Sequence, residues 1–502
     1  MTSERQTSSF AGHAATYAIG NIARRLVGFI MLPIYTRYLT PADYGVVGLL
    51  TIALSFLEPL LGARLAEAVP KFYFAATEEH TKSSVIWNAL FVTGSVSALT
   101  TIAIVLFRGP ESQILFGSRE YAFATGFFAI NMVSQPVEYT GMMYLRLQER
   151  SRLFLGVSMA KMVLQVVLNL LLVVYWQLSV LGVVLSGVVS SVATCIALMI
   201  YIGSHTRPTL DKKITRAMLR FCWPLWFSGL AGLYTGSSGS LYLRLFDSLS
   251  DVGLLGLGMK FATVVGLIVW APFFQHWEPM SYRYHREGSG RDKFQVAFLT
   301  ISLLMFVCGL GISIFAEPVI RVMATPGFRA AAGVVPILTL GLILNSIVSF
   351  FYFSFFIADR TKLDSLSRYI TVVVITVFYL ALIPTLGLVG AAVGQCLAFA
   401  LNFVYVYFWS KKYFDPGFQL APIGLLVLIS ALAYTCSNVI FGNHNPAVDL
   451  LTKSITLVIA SGLMSLVAVR AIRKSSPSAY DRLQSSLRRF GLGGLMGGSA
   501  RE

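Results

Sequence analysis

Charge is scarce in this chain: only 12% of its 502 residues are charged, against roughly 25% in a soluble domain. With 56% hydrophobic residues and a mean hydropathy of +0.71, it has too little polar surface to cover itself in water. A soluble globule is excluded. Acidic residues are scarcer than basic ones, 23 against 39 Lys and Arg, for a net charge of +16. Cysteine is sparse too. Cys195, Cys222, Cys308, Cys396 and Cys436 stand singly within apolar stretches, without metal or redox spacing, and read as buried free thiols. The phosphate-loop pattern G-x-x-x-x-G-K-[ST] is missing, and so is H-E-x-x-H. No loop on the side expected to face outward is long enough for a catalytic domain. These absences argue against an enzyme and against a bound metal or cofactor.

What the chain has is long apolar runs. About 14 are bounded by charged or turn-rich loops: 13–38, 44–63, 83–107, 119–143, 153–176, 180–203, 217–241, 251–274, 294–316, 333–357, 367–385, 388–409, 419–441 and 452–471. A span needs about 20 residues. In lipid the backbone must bond internally, so the runs predict an all-α polytopic membrane protein. A β-barrel would need short alternating segments instead. The first run is too long for a signal-peptide core and reads as a retained span.

Basic residues orient the spans. With the N-terminus in the cytoplasm and loops alternating, 28 Lys and Arg fall inside and seven outside, leaving Arg24, Arg25, Lys161 and Lys260 within spans. That bias predicts both termini in the cytoplasm. It also accounts for the positive charge, so nucleic-acid binding is not expected.

The chain also repeats itself. "IYTRYLTPADYGVVGLL" at 34–50 is echoed by "LYLRLFDSLSDVGLLGL" at 241–257, which pairs Arg37 with Arg244, Asp43 with Asp251 and Gly45 with Gly253. "LSVLGVVLSG" at 178–187 matches "LGLVGAAVGQ" at 386–395 with the same spacing of 208 residues. Spans 1–6 therefore correspond to spans 7–12 in the same orientation, two parallel six-helix repeats of the kind used for alternating access. Two further C-terminal spans follow. The expected divisions are 1–216, 217–416, 417–472 for spans 13 and 14, and a basic cytoplasmic tail at 473–502. In the echoed motif the aspartates can cap the helix that follows, and the glycines let the two helices of each hairpin approach closely. A gate role for Arg37, Asp43, Gly45, Arg244 and Asp251 is the alternative.

Polar stripes run along several spans. Asn21, Arg24 and Gly28 share a face of span 1, with Arg25 beside them. Glu58 lies on span 2, and Glu138 lies close to the inner end of span 4, where an interfacial position is the alternative. Lys161, Gln165 and Asn169 line span 5, and Lys260 lies on span 8. A charge at mid-membrane costs about 2.5–3.5 kcal/mol on insertion scales, so several of them predict a wet cavity. Internal ion pairs are the alternative. Four basic groups against two acidic ones make such a cavity cationic and suited to an anionic substrate. Arginine in particular fits phosphate oxygens.

The stretch "LPIYTRYLTPADYGVVGLL", after a span that carries arginines, resembles the first hairpin of Wzx-type polysaccharide flippases. These are the lipopolysaccharide and exopolysaccharide biosynthesis proteins of the multidrug/oligosaccharidyl-lipid/polysaccharide (MOP) exporter superfamily. The span count, both-ends-in topology and six-plus-six repeat extend the resemblance over most of the chain. It implies translocation of an undecaprenyl-pyrophosphate-linked oligosaccharide across the bacterial inner membrane, with Arg24, Lys161 and Lys260 at positions matching a cationic central cavity. It further implies ion antiport, with H+ or Na+ as the coupling cation, and carries over no coupling site; from the residues themselves Glu58 is the favoured titrating group and Glu138 a coupling or charge-balancing one. A lipid-tail groove at spans 13 and 14, and a polysaccharide polymerase complex as partner, complete what it implies. A lipid II flippase or a multidrug exporter of the same superfamily are the competing readings.

Overall fold

A backbone surrounded by hydrocarbon has no water to bond, so each apolar run closes its N–H and C=O groups on itself as helix. The computed structural model describes residues 28, 31–60, 65–287, 290–440, 446–475 and 477, and there is no β-strand among them. Nine of the described helices are long and apolar enough to cross a membrane. The chain is an all-helical, multi-pass membrane protein.

The first compact unit holds the residues up to Gly256 together with Met323–Gly327. Only the end of the first expected span is described, as α1 (Leu32–Tyr38). There follow α2 (Pro41–Leu60), α3 (Leu65–Ala75), α4 (Glu79–Leu106), α5 (Arg108–Phe116), α6 (Ala122–Ala129), α7 (Asn131–Leu147), α8 (Ser151–Asn169), α9 (Ser179–His205) and α10 (Lys212–Phe246). The second unit holds Leu257–Val322 and the residues from Phe328 onward. It takes most of α11 (Leu249–Val265), then α12 (Ala271–Arg286), α13 (Gly290–Met323), α14 (Ala331–Ile347), α15 (Ser349–Ile357), α16 (Thr361–Ser410), α17 (Leu420–Thr435) and α18 (Pro446–Ser475).

Many helices outrun the apolar stretch that announced them. α10 has 35 residues where 217–241 was expected, and α13 has 34 where 294–316 was expected. At 1.5 Å per residue each is about 50 Å long, well beyond the ~30 Å hydrocarbon layer. Hydropathy marks only the part within lipid, and the helix continues on polar residues past it. Two short helices, α3 and α5, fall in stretches read as loops. α3 buries Leu65, Ala66, Ala68 and Val69 in the core of its unit, against Val85, Ile86 and Ile202.

Connections between antiparallel helices are tight. Glu149 (φ 56) turns the chain after α7, and Arg150 N–H donates to the Leu145 carbonyl. Asp359 (φ 53) and the Arg360 N–H bond to Phe355 O repeat that turn after α15. α16 is 50 residues long but reverses at Gly387 (φ 52, ψ −127). Its two arms then pack on each other: Gly390 lies against the Leu382 carbonyl and Gly394 against the Tyr379 ring. An aromatic core that includes Trp277, Phe294, Phe298, Phe350, Phe351 and Phe418 fills the second unit.

The echoed motif builds a reciprocal Thr–Asp capping box in the first copy and a side-chain Ser–Asp counterpart in the second, where the Ser248 N–H turns to Asp247. Before α2, Thr40 Oγ1 accepts from Asp43 N–H at 3.1 Å, while the Asp43 carboxylate accepts from Thr40 N–H at 3.1 Å and from its hydroxyl at 2.8 Å. Before α11, Asp251 N–H bonds Ser248 Oγ at 3.2 Å, and the Ser248 hydroxyl donates to the Asp251 carboxylate at 2.5 Å. The aspartates therefore act from the first helical turn, reaching back to Thr40 and Ser248. The glycines serve a different purpose from the expected packing within one hairpin. A Cβ on Gly45 would strike the Leu249 carbonyl oxygen, and one on Gly253 would strike the Pro41 carbonyl oxygen. Pro41 and Leu249 are themselves echoed positions, so the two copies of the motif pack reciprocally on each other. The Met323–Gly327 segment packs on the first copy, with Thr325 N–H on the Thr36 carbonyl at 3.2 Å and Thr36 Oγ1 on the Met323 carbonyl at 3.1 Å.

Gly45→Ala and Gly253→Ala should each destabilise the protein by about 1–3 kcal/mol, because backbone on the far side cannot yield as a side chain would. Gly48→Ala, whose added carbon meets nothing within 4 Å, should melt no lower than the parent in detergent. Equal melting of all three variants would refute the crossing.

Candidate functional site

The expected site residues divide by where they lie. Asn21, Arg24 and Arg25 fall outside the described residues. Glu58 belongs to α2, but its side chain is likewise outside what is described. Lys260 lies on α11 in the second unit, half-buried, six residues before a π-turn at Gly266–Trp270. The remaining candidates are in the first unit.

There α7 and α8 form an antiparallel hairpin about the Glu149 turn. Its register places Lys161 Nζ 2.5 Å from Glu138 Oε2, with side-chain exposures of 18% and 11%. The sequence put Glu138 near the end of its span because the span was drawn to end at 143. α7 runs on to Leu147, which leaves Glu138 within the helix and buried. Separating two charges from water costs several kcal/mol per ion, and only close, hydrogen-bonded geometry offsets it. Cys195 on α9 is within electrostatic range of Glu138. Ser158 Oγ on α8 and Asn131 Oδ1 on α7 are buried, and among the described residues they find no hydrogen-bond partner. Such groups ordinarily meet water.

Two turns along α8, Asn169 is fully buried. Its Oδ1 accepts from Tyr35 Oη at 3.1 Å and Ser186 Oγ at 2.9 Å, and its Nδ2 donates to the Gln165 carbonyl at 2.8 Å. Asn169 thus ties α1, α8 and α9 together. Gln165 stands half-buried on α8 between Lys161 and Asn169. No spacing signal in the sequence marks Ser186 for its bond across to α8.

The motif residues have local partners. Arg244 Nε donates to the Leu115 carbonyl at 2.9 Å, and its guanidinium rests against Gly117, which ends α5 in the left-handed region (φ 67). A cation at that C-terminus meets the negative end of the helix dipole. Arg37 is exposed in the last turn of α1. In the second unit, a cavity of about 290 Å3 opens between α13, α14 and α17, lined by Gly309, Leu310, Gly333, Pro336, Ala431 and Tyr434 among others.

Glu138→Leu leaves the Lys161 ammonium buried without its carboxylate and should cost about 3–5 kcal/mol, whereas Glu138→Leu with Lys161→Met should recover most of that loss. Thermal unfolding of the purified protein checks both. A double variant as unstable as Glu138→Leu would show that the pair contributes nothing specific.

Comparison with known proteins agrees with this architecture. The family described as "Polysaccharide biosynthesis protein" matches residues 12–285. The succinoglycan biosynthesis transport protein ExoT of Rhizobium meliloti (strain 1021) is 21% identical over 305 residues, covering 59% of this chain and 58% of that protein. The match thus spans little more than half the length of that relative. Among solved structures, the lipid II flippase MurJ in an inward closed conformation superposes with a TM-score of 0.71 at 14% identity, covering 89% of this chain and 98% of that one. An inward-facing multidrug resistance MATE family transporter of the MOP superfamily gives 0.60 at 14% identity, covering 77% of this chain and 94% of that one. With the family matched over more than half the chain and the fold over most of it, this protein belongs to the polysaccharide biosynthesis protein family, on the fold of the MOP superfamily.

Proposed function

We propose that this chain is a flippase carrying an undecaprenyl-pyrophosphate-linked oligosaccharide from the cytoplasmic to the outer leaflet of the bacterial inner membrane, for polysaccharide assembly. The observation that carries the reading is Lys161, an ammonium held between helices of a polysaccharide-biosynthesis chain with a single carboxylate beside it. The two charged phosphates of a lipid pyrophosphate are the complement such a group recognises. Both termini are cytoplasmic, with some 14 crossings and the repeat-based division at 216, 416 and 472.

In this mechanism the pyrophosphate and first sugars enter from the cytoplasm and pair with Lys161, Lys260, Arg24 and Arg25, with Asn21 and Gln165 on the sugar hydroxyls. The polyprenyl tail remains in lipid, and the apolar cavity beside α17 is where part of it rests. The reciprocal glycine crossing of α2 and α11 closes the outer end, and it parts as the head group leaves. H+ or Na+ exchange, with Glu58 as one titrating group, drives the return. A polysaccharide polymerase receives the product. Succinoglycan biosynthesis in the matched relative favours a polysaccharide precursor over lipid II as cargo. The excess of basic over acidic groups disfavours a cationic drug.

The test is a strain lacking the protein. Undecaprenyl-linked oligosaccharide should accumulate in the inner leaflet while surface polymer disappears. The wild-type gene should restore both, and Arg24→Ala, though inserted normally, should not. Normal lipid-linked pools and normal polymer in the deletion strain would overturn the reading.

A further inference from the structure

The inward bias of basic residues has seven exceptions, and three of them, Arg321, Arg329 and Lys453, belong to the second unit. Cations on the outer side work against the orientation that the others enforce, so topology does not account for them. All three stand about the outer end of one cavity. The cavity of about 290 Å3 reaches from Phe306 to Ser313 on α13, from Gly333 to Ile343 on α14 and from Val427 to Thr435 on α17. Those stretches lie toward the end of α13, the start of α14 and the end of α17. On the orientation given by the charges, this is the outer half of the bilayer. Arg329 lies one turn before Gly333, and Glu317 one turn after Ser313.

Glu317 begins a ladder of alternating charge. Arg321 Nη2 reaches Glu317 Oε1 at 2.5 Å, while Lys453 Nζ is 4.0 Å from Glu317 Oε2 and 2.9 Å from Asp449 Oδ2. Lys453 is only 2% exposed, although a lysine near a membrane surface ordinarily extends its ammonium to water. One turn on, Leu457 packs against Gly311, so α18 meets this end of α13 directly. Tyr434 lines the cavity and is within electrostatic range of Glu317. The ladder employs Arg321 and Lys453 but leaves two groups over. Arg329 is exposed and has no ion pair among the described residues. Asp449 Oδ1 is buried and finds no donor among them. A staple between helices needs neither group. An anion that carries a hydroxyl beside it can use both.

Resting on the flippase reading, we infer that this rim and cavity form an outer-leaflet docking site for the flipped product. The pyrophosphate binds Arg329 and Arg321, a hydroxyl of the first sugar donates to Asp449 Oδ1, and the isoprenoid chain next to the phosphate lies in the cavity. Arginine meets phosphate oxygens with paired N–H bonds. Three cations against two carboxylates leave the rim positive, as a dianionic head group requires. The cavity has about twice the ~150 Å3 that holds one benzene ring, so it takes one chain. A polyprenyl pyrophosphate has one chain per head group. A phospholipid has two, and the second would be left outside. No covalent bond changes. The site retains the product on the outer side after it has left Lys161.

The experiment uses the full chain in lipid nanodiscs and farnesyl methyl pyrophosphate, a dianionic diester, with a diazirine at the far end of its chain. Photolabelled residues are mapped by peptide mass spectrometry, and total bound probe is measured separately. In wild type the cavity-lining stretches of α14 and α17 should carry label. Arg329→Gln should lower that label about tenfold, and Arg329→Lys should recover part of it. Ala431→Phe, which fills the cavity, should abolish it. Both Arg329→Gln and Ala431→Phe should keep the part of total binding that Lys161→Gln removes. A phosphatidylglycerol with the same diazirine on one chain should label the cavity at least tenfold less; equal labelling would assign the site to phospholipid and overturn the inference. A cavity without label, or label undiminished in Arg329→Gln, would also overturn it and leave the flippase reading standing, as long as Lys161-dependent binding persists. Absence of Lys161-dependent binding in wild type would take away the flippase reading itself, and the inference with it.

Discussion

Hydrocarbon offers no hydrogen bonds, and most features of this structure follow from that single deprivation. Every described crossing is helical because the backbone has nowhere else to place its N–H and C=O groups. Hydroxyls bond back to their own helix, as Thr93 does to Ala89 and Thr371 to Ser367. A side chain that cannot do so finds a partner on a neighbouring helix, as Tyr35 does on Asn169. The same deprivation makes a buried charge costly and therefore informative. Lys161 and Glu138 are held together because neither could remain there alone.

The repeat gives this chemistry its frame. Two copies of one hairpin motif meet through glycines that leave room for the opposite carbonyl. Each copy is pinned at its helix start by hydrogen bonds between an aspartate and the hydroxyl three residues before it. Between corresponding positions the copies then diverge. On the register of the Glu149 and Asp359 turns, the first keeps an ion pair where the second has Val348 and Thr371. The scaffold is doubled, while this ion pair is found in one copy.

Much of the fold was legible because hydropathy and the echo at 34–50 and 241–257 are strong, redundant signals. The capping role of Asp43 and Asp251 was legible in outline, although the sequence suggested capping by the aspartates alone and the structure has them answering Thr40 and Ser248. α3 escaped notice since "LAEAVPKFYFA" mixes charge and proline into a short apolar face. The pairing of Lys161 with Glu138 escaped for a geometric reason. Which faces of two antiparallel helices meet depends on the exact turn between them, and the left-handed Glu149 that sets this register has no marker in sequence. Ending span 4 four residues early also moved Glu138 toward the interface on paper.

The reversal of α16 at Gly387 has a practical side. Two crossings are joined there by little more than one glycine, with Gly390 already seated on the carbonyl of Leu382. Such a joint exposes no loop to a protease, a thiol-labelling reagent or an inserted epitope. Mapping that counts crossings by reachable loops would merge the two arms and count one crossing too few.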